Sequence, residues 1–337
     1  MNVIWPKVTV IIVNWNGERF LDRCISALLA QTVVPHEILL VDNASSDGSL
    51  DLVRRFPAVR LLAQDRNLGF ARGNNLAIEE ATAESEWIAL LNQYAFVEPR
   101  WLEALLLATR DYPAFEIFGS KLVAAADPAI LDGAGDAYHV SGLVWRRGHG
   151  APVTSVSEQE REAFSPCAAA ALYRRSALVE AGGFDEDFFC YLEDLDLGFR
   201  LRLAGYRCLY VPASVAHHVG SGTTSGQHSD FAVYHGHRNL VWTYVKNMPW
   251  VLFWAFLPLH LAMNLVALMV FSCRGQGRTM LRAKRDALRG IPKMWWKRRS
   301  IQSSRITTVR EIWRLMDKSI IPIGRINICN HRNKCRR

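Results

Sequence analysis

Runs of β-branched and aliphatic residues alternate with helically spaced segments over the first 110 residues. Residues 8–13 (VTVIIV) form an unbroken apolar run, the pattern of a strand buried on both faces. Residues 19–31 instead place Phe20, Ile25, Leu28 and Leu29 at helical spacing. The same alternation predicts strands at 37–42, 59–63 and 87–92 and helices at 49–55, 72–83 and 99–109. Beyond about residue 115 it weakens. Gly-rich loops (133–150) and an acidic stretch (157–163) lead to the small-residue run 168–171 and to helices over 176–181 and 193–204. This is the pattern of an α/β fold with a mostly parallel central sheet flanked by helices.

Residues 250–272 (WVLFWAFLPLHLAMNLVALMVFS) depart from that pattern, with no charge over 23 residues. As a helix the segment is roughly 34 Å long, enough to cross a bilayer core. Pro258, His260 and Asn264 interrupt it, so it spans a bilayer or lies in the interface and returns, the plainer alternative being a buried core helix that its length exceeds. Trp250, Trp254, Trp295 and Trp296 flank it as residues suited to the headgroup layer.

Charge sharpens this picture. The net +8 hides a split: residues 250–337 hold 19 Lys and Arg against Asp286, Glu311 and Asp317, whereas residues 1–249 are net acidic. An acidic globular part followed by a basic apolar element predicts a partner that is an anionic membrane surface, and the lack of stacking aromatics among those charges argues against nucleic acid. The opening MNVIWPKVTV has no secretory pattern, and the seven Cys show no pairing grammar. The chain is therefore expected at the cytoplasmic face, with both flanks of 250–272 on that side.

Ligands of open parallel sheets bind beyond the carboxyl ends of the strands. Here those ends read Asn14-Trp15-Asn16-Gly17, Asp42-Asn43-Ala44-Ser45-Ser46-Asp47-Gly48, Asn67-Leu68-Gly69-Phe70-Ala71-Arg72-Gly73-Asn74-Asn75 and Asn92-Gln93-Tyr94. No G-x-G-x-x-G follows the first strand and no P-loop occurs. Asp42 can accept hydrogen bonds from a base or ribose, although the same segment also serves as a turn and helix cap. The glycines around Phe70 allow close backbone approach to a ligand, and Arg72 suits phosphate. Glu193, Asp194 and Asp196 open a helix; three acids exceed what capping requires, and one in an apolar setting can serve as a general base. His217-His218, after VPASVA, are either loop histidines or ligands of a divalent ion.

These ordered segments together resemble the inverting glycosyltransferases of family 2, of the rhamnosyltransferase-like branch. The resemblance rests on VIIVNWNG (10–17), LLVDNASSDGS (39–49), NLGFARGNN (67–75), WIALLN (87–92), GGFDE (182–186), YLEDLDLGFRLRLAGYR (191–207) and HHVGSGT (217–223). It implies a glycosyltransferase-A-type fold in residues 1–235, with a nucleotide-sugar half (1–112) and an acceptor half (113–235). A helical membrane-associated region (236–320) and a basic tail (321–337) follow. By position Asp42 contacts the nucleotide, Asn14, Asn67 and Gly69 shape the pocket, and Arg72 and Asn92 face the donor. Asp194 is the implied base, with Glu193 and Asp196 positioning the acceptor or the loop. The implied donor is dTDP-rhamnose or a UDP-sugar, the acceptor a polyprenyl-linked glycan or polysaccharide, and the setting a bacterial plasma membrane. A divalent cation, Mg²⁺ or Mn²⁺, would be held by His218, with His217 as fallback and Asn92 assisting. Two residues depart from the pattern: Tyr94 stands where the family places an aspartate, and Cys167 where it places a glycine. Tyr94 motivates an alternative, a degenerate non-catalytic relative that binds nucleotide sugar or scaffolds a membrane assembly.

Overall fold

Strand β1 (Val8–Asn14) is buried along its whole length because it lies between two apolar layers. Its Val8, Val10 and Ile12 share a core with Leu21, Ile25 and Leu28 of helix α1 (Glu18–Leu29). Its Ile11 and Val13 face a second core on the opposite side of the sheet. That double burial explains why the sequence reads as an unbroken apolar run. The structure, a computed structural model, describes residues 4–156, 158–220 and 229–320. The basic tail 321–337 and the 221–223 end of the HHVGSGT segment lie outside the described residues.

The chain continues through β2 (Glu37–Asp42), α2 (Ser49–Val53), β3 (Val59–Ala63), α3 (Gly69–Glu80) and β4 (Trp87–Leu91). These strands form the parallel half of the sheet, in the order β4-β1-β2-β3. Then come β5 (Ala95–Val97), α4 (Trp101–Asp111), β6 (Ile117–Ala124), β7 (Leu131–Gly133), β8 (Asp136–Tyr138), β9 (Val144–Arg146), β10 (Arg161–Ala163), β11 (Ala170–Arg174), α5 (Arg175–Glu180), α6 (Glu193–Leu203) and β12 (Cys208–His218). Strand β11, the small-residue run, inserts antiparallel between β4 and β6. The sheet expected to be mostly parallel is thus parallel through its first half and mixed in its second. Helix α3 starts at Gly69 rather than residue 72, because Asn67 Oδ1 accepts the Gly69 N–H at 2.8 Å and sets the entry turn.

Helices α7 (Asp230–Asn247), α8 (Trp250–Cys273), α9 (Gly277–Ser303) and α10 (Val309–Leu315) form a third layer. Their Trp242, Tyr244, Phe253 and Met294 meet Tyr138, Phe188 and Phe199 in a third core. Helix α7 runs unbroken through residue 235, where the sequence placed a domain edge, because its first turns already pack on the segment before α6: Phe231 meets Phe189 with ring centroids 6.3 Å apart. The decisive contact is electrostatic. Lys246 Nζ, buried, donates to Asp185 Oδ2 at 2.5 Å and to Asp196 Oδ2 at 2.7 Å, while Asn247 donates to Asp196 Oδ1 at 2.7 Å.

Helix α8 is the one helix among the described residues long and apolar enough to cross a membrane by length and composition. Its polar interruptions face the protein: His260 Nδ1 meets the Ser141 carbonyl at 2.8 Å, and Asn264 bonds to His260 and Lys284. Trp254, Leu261 and Leu265 point outward and are more than half exposed. Helix α9 packs beside it and carries exposed Leu281, Leu288 and Trp296.

Removing one member of a buried ion cluster leaves its partners charged and unpaired, which costs about 3–5 kcal/mol. Lys246→Met is expected to lower unfolding stability by that order in urea denaturation, whereas breaking the exposed Arg54–Asp51 pair changes it by less than about 1 kcal/mol. Burial alone raises Asp185, but Lys246 and Lys297 more than reverse this and hold it well below the usual carboxylate range. Its stabilisation is thus full above about pH 4 and drains as pH falls below that. The variant should show a flatter acid limb.

Candidate active site

A cleft of about 1030 Å³ opens where the carboxyl ends of β1 and β4 meet the segments before α6 and around β9. Val13, Asn43 and Asn92 line the sheet side, and Phe189 to Asp194 the opposite wall. Its position follows from the fold, since strand ends and helix starts converge at this edge of a parallel sheet.

On the sheet side the first layer is structural. Asn14 and Asp42 are adjacent in register, and Asn14 Nδ2 donates to Asp42 Oδ2 at 2.6 Å. Asp42 also accepts from the Ser45 N–H at 2.9 Å and the Ser45 hydroxyl at 2.7 Å. Both residues are buried beneath the cleft, Asp42 having been expected to contact a nucleotide and Asn14 to shape its pocket. The residue that reaches the cleft is Asn43, one position on. Its Nδ2 holds the Gly69 carbonyl at 3.1 Å, so it also ties the 67–69 turn to the sheet. Trp15 is a further lining residue; Gln93 fixes it by accepting from its N–H at 2.8 Å and donating to its carbonyl at 3.1 Å. Asn67 and Gly69 line the cleft as expected positions. Gly69 has φ +80°, and a Cβ there would lie 2.6 Å from the Phe189 ring, so only glycine fits this approach of two loops. Arg72 is turned away: it donates to Glu186 at 2.8 Å, half-exposed, and does not line the cleft.

The opposite wall is a strained loop. Phe189, Tyr191 and Leu192 all have φ near +65°, a conformation costing non-glycine residues of order 1–3 kcal/mol each. Helix α7 holds it there, Asn239 Nδ2 donating to the carbonyls of Phe188, Cys190 and Tyr191 at 2.7–3.0 Å. The loop ends on three acids in three different environments. Asp194 is half-buried at the cleft, its Oδ2 accepting the Ala168 N–H at 3.1 Å and its Oδ1 the Leu195 N–H at 2.8 Å. Glu193 is buried with Oε2 unpartnered, and burial, reinforced by the neighbouring Asp194 charge, pushes it well above the usual carboxylate range. Asp196 does not reach the cleft: it is fully buried, bound by Lys246, Asn247 and Arg200. The helical spacing that makes three acids neighbours in sequence sends the third into the core.

A carboxyl that sequence reasoning missed completes this corner. Asp136, on β8, is buried at the cleft; its side chain, the Cys167 thiol and an Asp194 oxygen lie within 4.8 Å of one another. Burial, with Asp194 beside it, pushes Asp136 up to about 8 despite nearby Arg146. Burial also pushes the Cys167 thiol well up, so the trio is a poor cation cage, two of its three donors being protonated.

The donor set near Tyr94 is different. His218 Nδ1 contacts Asp132 Oδ2 at 2.7 Å, while its Nε2 is buried without a partner. A histidine whose other nitrogen is fixed by a carboxylate is the usual arrangement of a metal ligand. Burial lowers His218 although Asp132 opposes the shift, which keeps the imidazole neutral and able to coordinate. Asp132 itself would be raised by burial, but Arg146, His149 and His218 hold it well below the carboxylate range. Burial pushes the Tyr94 phenol up to about 12, so it stays protonated and offers no anionic oxygen. The residues thus fit a divalent ion through His218, with Asn92 lining the same cleft. His217, the fallback, is turned to the other side, as consecutive strand residues are, and its Nε2 meets Glu98 at 3.3 Å.

The sequence matches Glycosyl transferase family 2 over residues 9–180 and Glycosyl transferase family group 2 over residues 149–281. It is 32% identical over 251 residues to the N-acetylglucosaminyl-diphospho-decaprenol L-rhamnosyltransferase of Mycobacterium tuberculosis, covering 67% of this chain and 80% of that protein. It is 31% identical over 212 residues to the O-antigen biosynthesis protein RfbC of Myxococcus xanthus, covering 60% of this chain and 16% of that protein. In fold it is similar to the mannosyltransferase PcManGT of Pyrobaculum calidifontis, solved with GDP-Man and Mn²⁺, with a TM-score of 0.53 and 18% identity over 92% of this chain and 88% of that one. GalNAc-T7, solved with UDP, GalNAc and Mn²⁺, gives a TM-score of 0.57 at 16% identity, over 72% of this chain and 48% of that one.

Proposed function

As the chain belongs to glycosyl transferase family 2 and is a glycosyltransferase, we propose that it transfers a sugar from a nucleotide diphosphate to a lipid-linked acceptor, with Asp194 as general base. The observation that carries this reading is the contrast among the acids: Asp194 lines the cleft half-buried and is ordered by two backbone N–H groups, whereas Glu193 lines it buried and Asp196 is tied into an ion cluster away from it.

The step is a single displacement. Asp194 takes the proton of the acceptor hydroxyl as that oxygen forms a bond to the anomeric carbon. The bond from that carbon to the diphosphate oxygen breaks, and its electron pair leaves with the diphosphate. One displacement inverts the anomeric configuration, and no enzyme nucleophile is consumed. Asn43, Asn67 and the exposed face of Trp15 surround the place for the base and ribose, Asn14 and Asp42 bracing that floor from below. His218 Nε2 and Asn92 would hold a divalent cation. Such an ion, when bound, neutralises the departing diphosphate. Arg146 supplies fixed positive charge on the same wall.

The preferred donor is dTDP-L-rhamnose, with UDP-sugars next, and the acceptor class is a polyprenyl-diphosphate glycan, as the name of the mycobacterial relative describes for that protein. The setting is the cytoplasmic face of a bacterial plasma membrane. Helix α8 lies with His260 and Asn264 against the protein and its apolar side outward, which supports an interfacial helix rather than a free span. Arg282, Arg285 and Arg289 crowd around the single Asp286 on α9 and leave an excess of positive charge for anionic lipid.

Asp194→Asn is expected to lower kcat by about 10²–10⁴-fold while leaving donor affinity unchanged, read by transfer assays and calorimetry. A variant as active as its parent would exclude Asp194 as base. Donor affinity of the parent should fall about 10-fold in EDTA, and His218→Ala should bind donor equally with Mn²⁺ or EDTA; equal metal sensitivity in both would remove His218 from the site. The full chain should sediment with phosphatidylglycerol vesicles in a salt-sensitive way, and the double variant Trp254→Glu, Leu261→Glu should bind at least about 10-fold more weakly. Indifference to both lipid charge and the double substitution would overturn the interfacial placement.

A further inference from the structure

Asp136 has no counterpart among the motifs that led to the active site, and the reaction as written does not use it. Its geometry is nonetheless that of a ligand-binding group. It is 5% exposed, it lines the cleft, and its Oδ1 has no hydrogen-bond partner. A buried polar atom left unpaired costs free energy unless a ligand completes it. The strand that carries it is fixed on both sides, β8 pairing with β9 and the Asp136 N–H donating to the Ser165 carbonyl at 2.8 Å. The carboxyl therefore keeps its place beside Asp194, within 4.8 Å.

We propose that Asp136 is an acceptor-binding residue: its free oxygen hydrogen-bonds the ring hydroxyl next to the one that Asp194 deprotonates, so the enzyme selects acceptor sugars that present two adjacent hydroxyls. This rests on the reading of Asp194 as base. Neighbouring hydroxyls of a pyranose project side by side at the separation of one hydrogen bond. Two carboxyls side by side suit such a pair, provided that they do not repel each other. They do not, because Asp136 keeps its proton. The groups facing it are the Asp194 and Asp132 carboxylates, the Arg146 guanidinium, and the protonated Cys167, Cys208 and Tyr173; burial and Asp194 outweigh Arg146. A protonated carboxyl offers one donor and spare acceptor capacity, which matches a hydroxyl in either sense. Asp136 keeps that proton throughout, and the acceptor proton passes only to Asp194.

The test uses the full chain, dTDP-L-rhamnose and N-acetylglucosaminyl diphosphate on a short polyprenol, with analogues each lacking one ring hydroxyl. A site built to bond a hydroxyl discriminates strongly against the analogue without it. The parent should lose about 10–100-fold in kcat/KM on one deoxy analogue that still reacts. Asp136→Ala should lose a similar factor on the complete acceptor, mainly in acceptor KM, and lose nothing further on that analogue. Asp136→Asn, which can still hydrogen-bond, should recover part of the loss, and donor KM should not change in either variant. Equal penalties for the deoxy analogue in parent and Asp136→Ala would overturn the proposal, as would a loss confined to donor KM. An inactive parent would instead count against the donor and acceptor named above, and the role of Asp136 would fall with them.

Discussion

One buried ammonium group holds this molecule in its working shape. Lys246, near the end of α7, reaches Asp185 before the strained loop and Asp196 just after it. The segment between those two aspartates contains Phe189, Tyr191 and Leu192 in left-handed backbone and delivers Asp194 to the cleft. A loop that costs several kcal/mol to bend stays bent only if its surroundings over-determine it. The ion cluster pins its two ends, while Asn239 and Arg238 take up the carbonyls between them. Lys297 adds a second cation at Asp185 from α9. The helices that carry the apolar outer face thus also build the wall of the cleft.

This arrangement divides labour between the two halves of the sheet. The parallel half supplies a rigid floor, with Asn14, Asp42 and Ser45 locked in mutual hydrogen bonds and Asn43 and Asn67 presented above them. The mixed half, together with β8 and β9, supplies the charges: Asp136, Arg146 and His218 come from three separate strands, β8, β9 and β12, and line the same cleft. The carboxyls there are kept apart in protonation state. Arg146 holds Asp132 below the carboxylate range, whereas burial pushes Glu193 and Asp136 above it. Chemistry that moves one proton needs one basic carboxylate in a corner holding several acids, and differential burial provides it.

The elements of the first half were legible because each is specified locally. The apolar runs 8–13, 37–42 and 87–92 became β1, β2 and β4 within one residue, since strands buried on both faces leave no polar alternation to confuse the reading. The glycosyltransferase family and its A-type fold also followed from residue order, as did α8 as a long apolar helix. Asn67 and Gly69 could be placed at the cleft because the turn that presents them is encoded by adjacent residues.

The tertiary structure decided what distant residues do to one another. Sequence order put Asp196 with Asp194 and His217 with His218, yet strand and helix geometry turns one of each pair away, Asp196 onto Lys246 and His217 onto Glu98. Asp42 reads as a ligand contact, and the fold adds that it is buried and bonded to Asn14 and Ser45 while its neighbour Asn43 lines the cleft. Asp136 and Asp132 sit in a Gly-rich stretch with no motif to mark them, and only the packing of β8 and β9 gives them buried partners 58 and 86 residues away in Asp194 and His218. Periodicity and turn chemistry act over a few residues, so the sequence alone determines elements and their order. Burial and ion pairing act through space, so which side chains are charged, shared or open to a ligand is settled only when the chain is folded.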